Sequence, residues 1–442
     1  MRRRVAAACT GVAIAAVLAC VLSPLRQTSG DTVGGRLGGL VLRCAGDWDL
    51  ARIDWIAQRI ADGRSPYFAE LDATGQHSSI FGPAPGLAGA LALIGTGDAI
   101  DDDALRIRER AMAALLLAIS AALLVLAIAA RAGPRAAALG GAVAVASFAG
   151  AATLGQGLWQ ATCALPLLTG GLAAIAWRAS WPRLALVAPA LLIAAVMIRP
   201  TIAPLAIVLG IAWARETRGV RAWAIAIGLA LAAAMPFAFW NLAHLGSPFP
   251  LGQWHGNARL AAHVFQPQVG HIGYALGGLL ISPGRGLLWY APVVLVALAG
   301  VWRSRDRLER TAALAIIGQI GLISLFFKWS GGVAFGTRLL AEATWLAIWL
   351  AASRWSSATR AWRRWLVAAT AVTVAVGLAG LCLFRTEQWE GRRQVDIDEN
   401  AVWDLGDSPL TSLFRDTSAE VLATDSQPVA GYRCIGGRII SW

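Results

Sequence analysis

The sequence predicts an all-α, polytopic membrane protein with about eleven transmembrane helices. Of the 442 residues, 57% are hydrophobic and only 14% are charged, whereas a soluble globular protein carries about 25% charged residues. The hydrophobic residues form long blocks of Ala, Leu, Val and Ile, separated by short stretches rich in Arg or in Gly and Pro. This composition excludes a soluble enzyme, a disordered protein and a nucleic-acid-binding domain. We therefore expect membrane lipids, and no nucleic acid, as partners.

The individual spans follow from block length, because a membrane span needs about 20 apolar residues. The first block comes after Arg2-Arg3-Arg4, as in a signal peptide, but ten further blocks follow and we interpret it as a retained first span. The stretch 184–214 is interrupted at Arg199-Pro200, and two short spans fit it better than one helix of about 46 Å. The blocks cover residues 5–23, 111–130, 136–154, 161–177, 184–198, 201–214, 222–240, 287–302, 311–327, 339–353 and 365–384.

The orientation of the spans follows from the distribution of arginine. Alternate connections, together with the N-terminal arginines, hold 18 of the 38 basic residues and only three acidic residues. Because basic residues are enriched in cytoplasmic connections, we expect these connections and the N-terminus inside. The transmembrane domain 1–384 then has two long outer segments, 24–110 and 241–286. The tail 385–442 is too short to bury a core of its own, so we expect it to pack on the outer face.

The first outer segment contains two apolar features. Apolar residues recur at helical spacing over 50–62, behind Asp49 as an N-cap. This pattern predicts an amphipathic helix that lies on the membrane. The stretch 87–94 is too short to cross the bilayer, and we expect an interfacial or re-entrant segment.

The six cysteines contain no CxxC pair and no zinc-site spacing, so no metal site is predicted. Cys44 and Cys434 both fall in segments that we expect outside. A disulfide between them would require a contact that the sequence does not reveal, and the paired and free states both remain open.

Asp31 is the first acidic residue of the outer face and lies eight residues past Ser23, close to the expected headgroup level. A carboxylate in that place can accept a proton from an acceptor hydroxyl. The alternative is a solvated aspartate at the start of a short helix, which the sequence Gly30-Asp31-Thr32 also suits.

Several short motifs lie on the expected outer face, in one order along most of the chain. They are Ser29-Gly30-Asp31-Thr32 with Arg36, Phe81-Gly82-Pro83-Ala84-Pro85-Gly86, Leu158-Trp159-Gln160, Asn241 with Gly246-Ser247-Pro248, Ser282-Pro283-Gly284-Arg285-Gly286, Trp289-Tyr290-Ala291-Pro292 and Phe335-Gly336-Thr337-Arg338. Together they resemble the GT-C superfamily of integral-membrane glycosyltransferases. The resemblance is closer to uncharacterised bacterial relatives of the protein O-mannosyltransferases and aminoarabinose transferases.

The resemblance implies a GT-C-like enzyme in the bacterial cytoplasmic membrane, with its N-terminus inside and its active site facing out. Such an enzyme moves a sugar from a polyprenyl-phosphate donor to a hydroxyl of a glycan, lipid or protein acceptor. Asp31 would be the catalytic base. Better-known members carry a second acid after the third span, where this chain has none, so we expect no metal or other cofactor.

The departing lipid phosphate would need positive charge, and arginine binds phosphate oxygens through two parallel hydrogen bonds. The candidates are Arg285, Arg338 and Arg199, although an arginine at the end of a span also reaches for lipid headgroups without any catalytic role. The expected supporting residues are Arg36, which would orient Asp31, and Gly284, Gly286, Trp159, Gln160, Asn241 and Tyr290.

A multispan transporter or a lipid flippase for cell-envelope precursors is the alternative function. Coupled transporters use ionisable residues inside the membrane, and the predicted spans contain almost none. The candidate residues instead gather on one face, which an enzyme explains better.

Overall fold

The computed structural model describes residues 2–23, 29–250, 269–301, 304–326, 328–332, 334–384, 389, 398–414 and 429–442, and this part of the chain is predominantly helical. The α-helices are α1 (Arg2–Leu22), α2 (Gly30–Ala45), α3 (Asp54–Ala61), α4 (Pro83–Ala92), α5 (Asp102–Ala146), α6 (Gln160–Ala176), α7 (Pro182–Ala185), α8 (Ala188–Ile198), α9 (Ala203–Glu216), α10 (Val220–Leu245), α11 (Val269–Ile281), α12 (Leu287–Tyr290), α13 (Pro292–Val301), α14 (Arg307–Ser324), α15 (Ala341–Ser353), α16 (Arg360–Leu383) and α17 (Pro409–Ser412). The short strands, absent from the all-α prediction, are β1 (Ala69–Leu71), β2 (His77–Ser79), β3 (Ala99–Asp101), β4 (Gly431–Ile435) and β5 (Arg438–Ser441).

Four helices of the described chain are long and apolar enough to cross a membrane. They are Arg3–Leu22, Asp102–Ala146, Val220–Leu245 and Arg360–Leu383. Shorter apolar helices occur at Gln160–Ala176, Pro182–Ile198, Val269–Ile281 and Pro292–Val301. The predicted apolar blocks are therefore largely helical, whereas the number of eleven spans stays a prediction. Helix α11 lies in the segment 241–286, which the sequence analysis treated as a loop.

Helix α5 folds back on itself at Gly133, whose backbone leaves the helical region at φ 80° and ψ 174°. A Cβ atom added at Gly141 would come within 2.5 Å of the Val125 side chain. In a straight helix these two residues would be about 24 Å apart. The two halves of α5 therefore pack as an antiparallel hairpin, in agreement with the predicted break between blocks 111–130 and 136–154.

The predicted interruption at Arg199-Pro200 is confirmed. Helix α8 ends at Ile198, Arg199 is extended at φ −140°, and a 3-10 turn over Pro200–Ile202 leads into α9. The structural reason is that the proline ring removes a backbone donor and disfavours helical conformation in the residue before it. The side chain of Arg199 is thereby placed at the junction of two helices.

A helix does start at Gly30-Asp31, as the alternative interpretation of Gly30-Asp31-Thr32 predicts, and it extends over the 16 residues of α2. Propensity alone does not favour this length, because α2 contains five glycines, namely Gly30, Gly34, Gly35, Gly38 and Gly39. The glycines permit a close crossing with α4. A Cβ atom at Gly39 would lie 2.6 Å from the backbone nitrogen of Ala90. Tertiary packing therefore stabilises a helix that propensity alone disfavours. Helix α4 covers most of the segment 87–94, for which the sequence predicts an interfacial or re-entrant position.

Residues 29–105 and 429–442 form a second hydrophobic cluster outside the main helical core, and we call this layer the cap. Its sheet joins distant parts of the chain, because β3 pairs with β4 and β4 pairs with β5, both antiparallel. A disulfide links Cys44 to Cys434, whose Cα atoms are 5.8 Å apart. The pairing that the sequence left open is therefore formed, and it fastens the C-terminal hairpin to α2.

The predicted amphipathic helix over 50–62 is present in part, as a 3-10 turn over Leu50–Arg52 followed by α3. Asp49 caps the first turn as expected, since its side chain accepts a hydrogen bond from Ala51 N. The expectation that this helix rests on the membrane is wrong. Leu50, Ile53 and Ile56 are fully buried, and Ile53 bridges to Ile439 of the C-terminal hairpin. The apolar face is covered by protein.

The stretch 398–414 packs against the helical core. Gly284 N donates a hydrogen bond to Val402 O at 2.8 Å. The Tyr274 hydroxyl donates to the carbonyl of Glu399 at 3.1 Å, and its ring packs against Trp403. The described parts of the tail therefore touch both the helical core and the cap.

Candidate functional site

Asp31 lies in the first turn of α2, where Ser29 is the N-cap and its side chain accepts a hydrogen bond from Asp31 N. A negative charge is favourable in the first turn of a helix. The Tyr67 hydroxyl donates a hydrogen bond to Asp31 Oδ1 at 2.7 Å. The Asp31 side chain keeps 25% of its surface exposed.

Arg338 meets Asp31 directly, although 306 residues separate them in sequence. Arg338 Nη1 lies 2.5 Å from Asp31 Oδ2. Its Nη2 donates to the carbonyl of Gly331 at 2.6 Å, and its guanidinium carbon lies 4.2 Å from the centre of the Trp159 ring. The guanidinium is thus held by a carboxylate, a carbonyl and an aromatic face, which fixes its position beside an accessible acid.

A second ion pair lies close to the first. Arg199 Nε is 2.8 Å from Glu342 Oε1, and both side chains are buried. Arg338 and Asp31 both act electrostatically on Arg199. Two acids and two arginines therefore share one neighbourhood. Nη2 of Arg199 and Oε2 of Glu342 are buried, and neither has a hydrogen-bond partner among the residues described.

Sequence reasoning did not single out Glu342, even though it is an acid in the first turn of an apolar block. It also stands four residues after Arg338, a spacing that brings two side chains to the same face of a helix. An acid at the start of an apolar block, four residues after an arginine, was the feature of the sequence that could have identified Glu342.

Arg36 does not orient Asp31 as expected. It pairs instead with Glu109 at 3.3 Å and with Asp102 at 3.8 Å. Glu109 also accepts a hydrogen bond from Leu158 N at 3.0 Å. Arg36 and Glu109 thereby hold the loop that presents Trp159 to Arg338, so their effect on Asp31 is indirect. Glu109, too, was missed from the sequence.

Arg285 is fully buried, and its guanidinium binds protein carbonyls. Nε donates to Ser330 O at 2.8 Å, Nη1 to Gly284 O at 3.0 Å and Nη2 to Gly332 O at 2.7 Å. These bonds hold the segment 330–332, whose Gly331 carbonyl contacts Arg338. The contacts favour a structural role for Arg285, which places it behind Arg338 and not beside Asp31.

Gly284 and Gly286 allow close approach of backbone, but to protein. A Cβ atom at Gly284 would lie 2.8 Å from Val402 Cα, and one at Gly286 would lie 2.6 Å from the backbone of Ser282. The space beside both glycines is therefore filled by the chain itself.

The other expected supporting residues contribute in different ways. Gln160 Nε2 donates to Phe81 O at 2.9 Å and so joins the start of α6 to the cap. Tyr290 packs against Phe335 with ring centres 5.2 Å apart, behind the loop that carries Arg338. Asn241 is buried at the end of α10, and its Nδ2 lies 3.5 Å from the carbonyl of Pro248.

A separate polar contact joins α10 to the cap. His244 Nδ1 lies 2.6 Å from Asp72 Oδ2, and the His244 ring stacks on Trp240 at 4.6 Å. Burial opposes ionisation of Asp72, but hydrogen bonds from Thr74, His244 and Gln76 outweigh it and lower the pKa of the Asp72 carboxyl. Asp72 therefore anchors the turn between β1 and β2.

Within the part of the chain that the structure describes, no three His, Cys, Asp or Glu side chains are grouped closely enough to hold a metal ion. Comparison of the whole chain with protein-family models, with curated proteins and with solved structures found no match.

Proposed function

We propose that this chain is a membrane-embedded glycosyltransferase that moves a sugar from a polyprenyl-phosphate donor to an acceptor hydroxyl. The observation that carries the proposal is the direct contact between Asp31 and Arg338, with Arg199 beside them. An accessible carboxylate next to buried guanidinium groups suits a reaction that needs a proton acceptor and a binding site for an anionic leaving group.

The reaction is written as one displacement at the anomeric carbon. Asp31 takes the proton of the acceptor hydroxyl, and the hydroxyl oxygen forms a bond to that carbon. The bond from the carbon to the phosphate oxygen breaks, and the lipid phosphate leaves with the electron pair. Arg338, with Arg199 behind it, stabilises the charge on the leaving phosphate, because charge-assisted hydrogen bonds from arginine strengthen as that charge develops.

The cap is proposed to face the non-cytoplasmic side of a bacterial inner membrane. Disulfides persist in oxidising compartments and are rare in the cytosol, and the cap contains the Cys44–Cys434 disulfide. The charge distribution of the connections agrees with this orientation. If it is correct, a membrane-impermeant maleimide should label both cysteines in intact, mildly reduced cells. Labelling that needs permeabilised membranes would contradict the orientation.

The decisive experiment is the substitution Asp31→Asn in the purified full-length protein, supplied with polyprenyl-phosphate mannose or polyprenyl-phosphate aminoarabinose. Release of polyprenyl phosphate in the presence of a mixed acceptor extract is the readout. Loss of a general base slows a reaction by about 100- to 10,000-fold. The matched control is Asp47→Asn, since Asp47 lies in the cap and pairs with Arg52 on the surface. Equal turnover by wild type and Asp31→Asn would contradict the proposal.

The buried Arg199–Glu342 pair favours a transporter or lipid flippase as the second candidate. Ionisable residues inside a predicted span are typical of substrate pathways, and Glu342 lies in the predicted span 339–353. Reconstitution in vesicles with a fluorescent polyprenyl phosphate distinguishes the two functions. Movement of the lipid between leaflets that survives Asp31→Asn and is lost in Glu342→Gln would support the transporter.

A further inference from the structure

A cleft of about 560 Å³ lies between the start of α1 and the Gly133 turn of α5. Its lining includes Arg4, Ala8, Pro134, Arg135 and Ala138. Helix α1 has 21 residues and is therefore about 30 Å long. Because Asp31 follows the other end of α1, the cleft lies at the end of the helical core remote from the candidate active site.

The charge of the cleft is unbalanced. Arg4 and Arg135 line it, no acid does, and neither arginine has an ion-pair partner in the described part of the chain. Some arginines at the same end of the core are paired, whereas others, such as Arg218 and Arg221, have no ion pair in the described part of the chain. Arg131 binds Asp306 and Arg178 binds Glu216. The two cleft arginines are thus a local excess of positive charge, and both are exposed to a ligand.

The remaining walls are apolar, formed by alanine and proline side chains and by Gly133. Gly133 has φ 80°, and no atom lies within 4 Å of the position that its Cβ would occupy. The position that a Gly133 side chain would occupy is therefore not filled by another part of the protein. A volume in this range fits a small-molecule group, and the lining combines two guanidinium groups with hydrocarbon surface.

We propose that this cleft binds the phosphate group of an anionic phospholipid. Two guanidinium groups match a phosphate, because each can donate two hydrogen bonds to its oxygens. The position selects a lipid over free phosphate. The cleft lies where two apolar helices end, which is the level of the headgroups, and its alanine and proline walls suit the glycerol and the first carbons of the acyl chains. The proposal does not depend on the proposed enzymatic function.

The test uses full-length protein in a neutral detergent, titrated with short-chain phosphatidylglycerol, and binding is followed by native mass spectrometry. Arg4→Gln/Arg135→Gln should weaken binding by about tenfold or more. The matched control is Arg218→Gln/Arg221→Gln, which removes the same charge from the start of α10 and the residues just before it. Neither of these arginines lines the cleft, so the control should bind as the wild type does.

Three results would overturn the proposal. Equal weakening by the two double variants would mean non-specific attraction to surface charge. Equal binding of short-chain phosphatidylcholine would mean that the charge of the lipid is irrelevant. Competition by millimolar inorganic phosphate, with a similar affinity, would mean a free-anion site and not a lipid site. Thermal unfolding without added lipid checks that all variants remain folded, and the single variants Arg4→Gln and Arg135→Gln should each lose part of the affinity.

Discussion

The contact between Asp31 and Arg338 can be tested as a thermodynamic coupling, independently of any enzymatic assay. The variants are Asp31→Asn, Arg338→Gln and the combination of both. Arg338 loses three interactions when it is replaced, namely the ion pair at 2.5 Å, the hydrogen bond to Gly331 O and the stacking on Trp159. Removing an almost fully buried guanidinium with these contacts should cost about 3 kcal/mol of unfolding free energy.

The substitution Asp31→Asn should lower the free energy of unfolding by less, about 1 kcal/mol. The exposed quarter of the Asp31 side chain can be solvated, and surface ion pairs contribute little. The remaining unpaired charge on Arg338 is the main penalty. In the double variant both partners are gone, so that penalty disappears. The double variant should therefore be more stable than the sum of the single changes predicts, by a coupling energy of about 1–2 kcal/mol.

The free energy of unfolding of the wild type, the two single variants and the double variant is measured by equilibrium unfolding in mixed micelles. SDS is the denaturant and tryptophan fluorescence is the signal. A control cycle combines Asp31→Asn with Arg43→Gln, because Arg43 lies at the other end of α2 and binds the carbonyl of Gly97. The control pair should be additive within about 0.5 kcal/mol. A coupling energy between residues 31 and 338 no larger than that of the control pair would refute the ion pair.

Two further predictions follow from the cap. Gly39→Ala should destabilise the protein by about 2–3 kcal/mol, because its Cβ would meet the backbone of Ala90 at 2.6 Å, and it should lower the apparent melting temperature. Gly11→Ala in α1, where nothing lies within 4 Å, should have no effect or stabilise the helix by up to about 1 kcal/mol. Asp72 has a lowered pKa in the folded state, so its ionised form should contribute stability above its ordinary pKa, and this contribution should be lost as the pH falls towards the lowered value. The protection factors of the amides around His244, corrected for the pH dependence of intrinsic exchange, should therefore fall at acidic pH in the wild type but be low and much less pH-dependent in Asp72→Asn. An unchanged profile in the variant would contradict this role.

The sequence by itself determined the helical, apolar character of the chain and the places where helices are interrupted. Block length and composition depend on local properties, so the break at Arg199-Pro200 and the break between blocks 111–130 and 136–154 could be predicted. Asp31 and Arg338 could also be selected as polar residues next to apolar blocks. Their direct contact could not be predicted, because it depends on how two segments 307 positions apart in sequence pack together.

Only the tertiary structure decided which groups are partners. The sequence predicts that Arg36 orients Asp31 and that Arg338 binds a phosphate, yet Arg36 binds Glu109 and Arg338 binds Asp31. The glycines of α2 disfavour a helix by propensity, and the helix is stabilised because α4 packs against it. The apolar face of α3 looks suited to a membrane until the C-terminal hairpin covers it. In each case the stabilising contacts are made with residues that are distant in sequence, and local periodicity carries no information about such contacts.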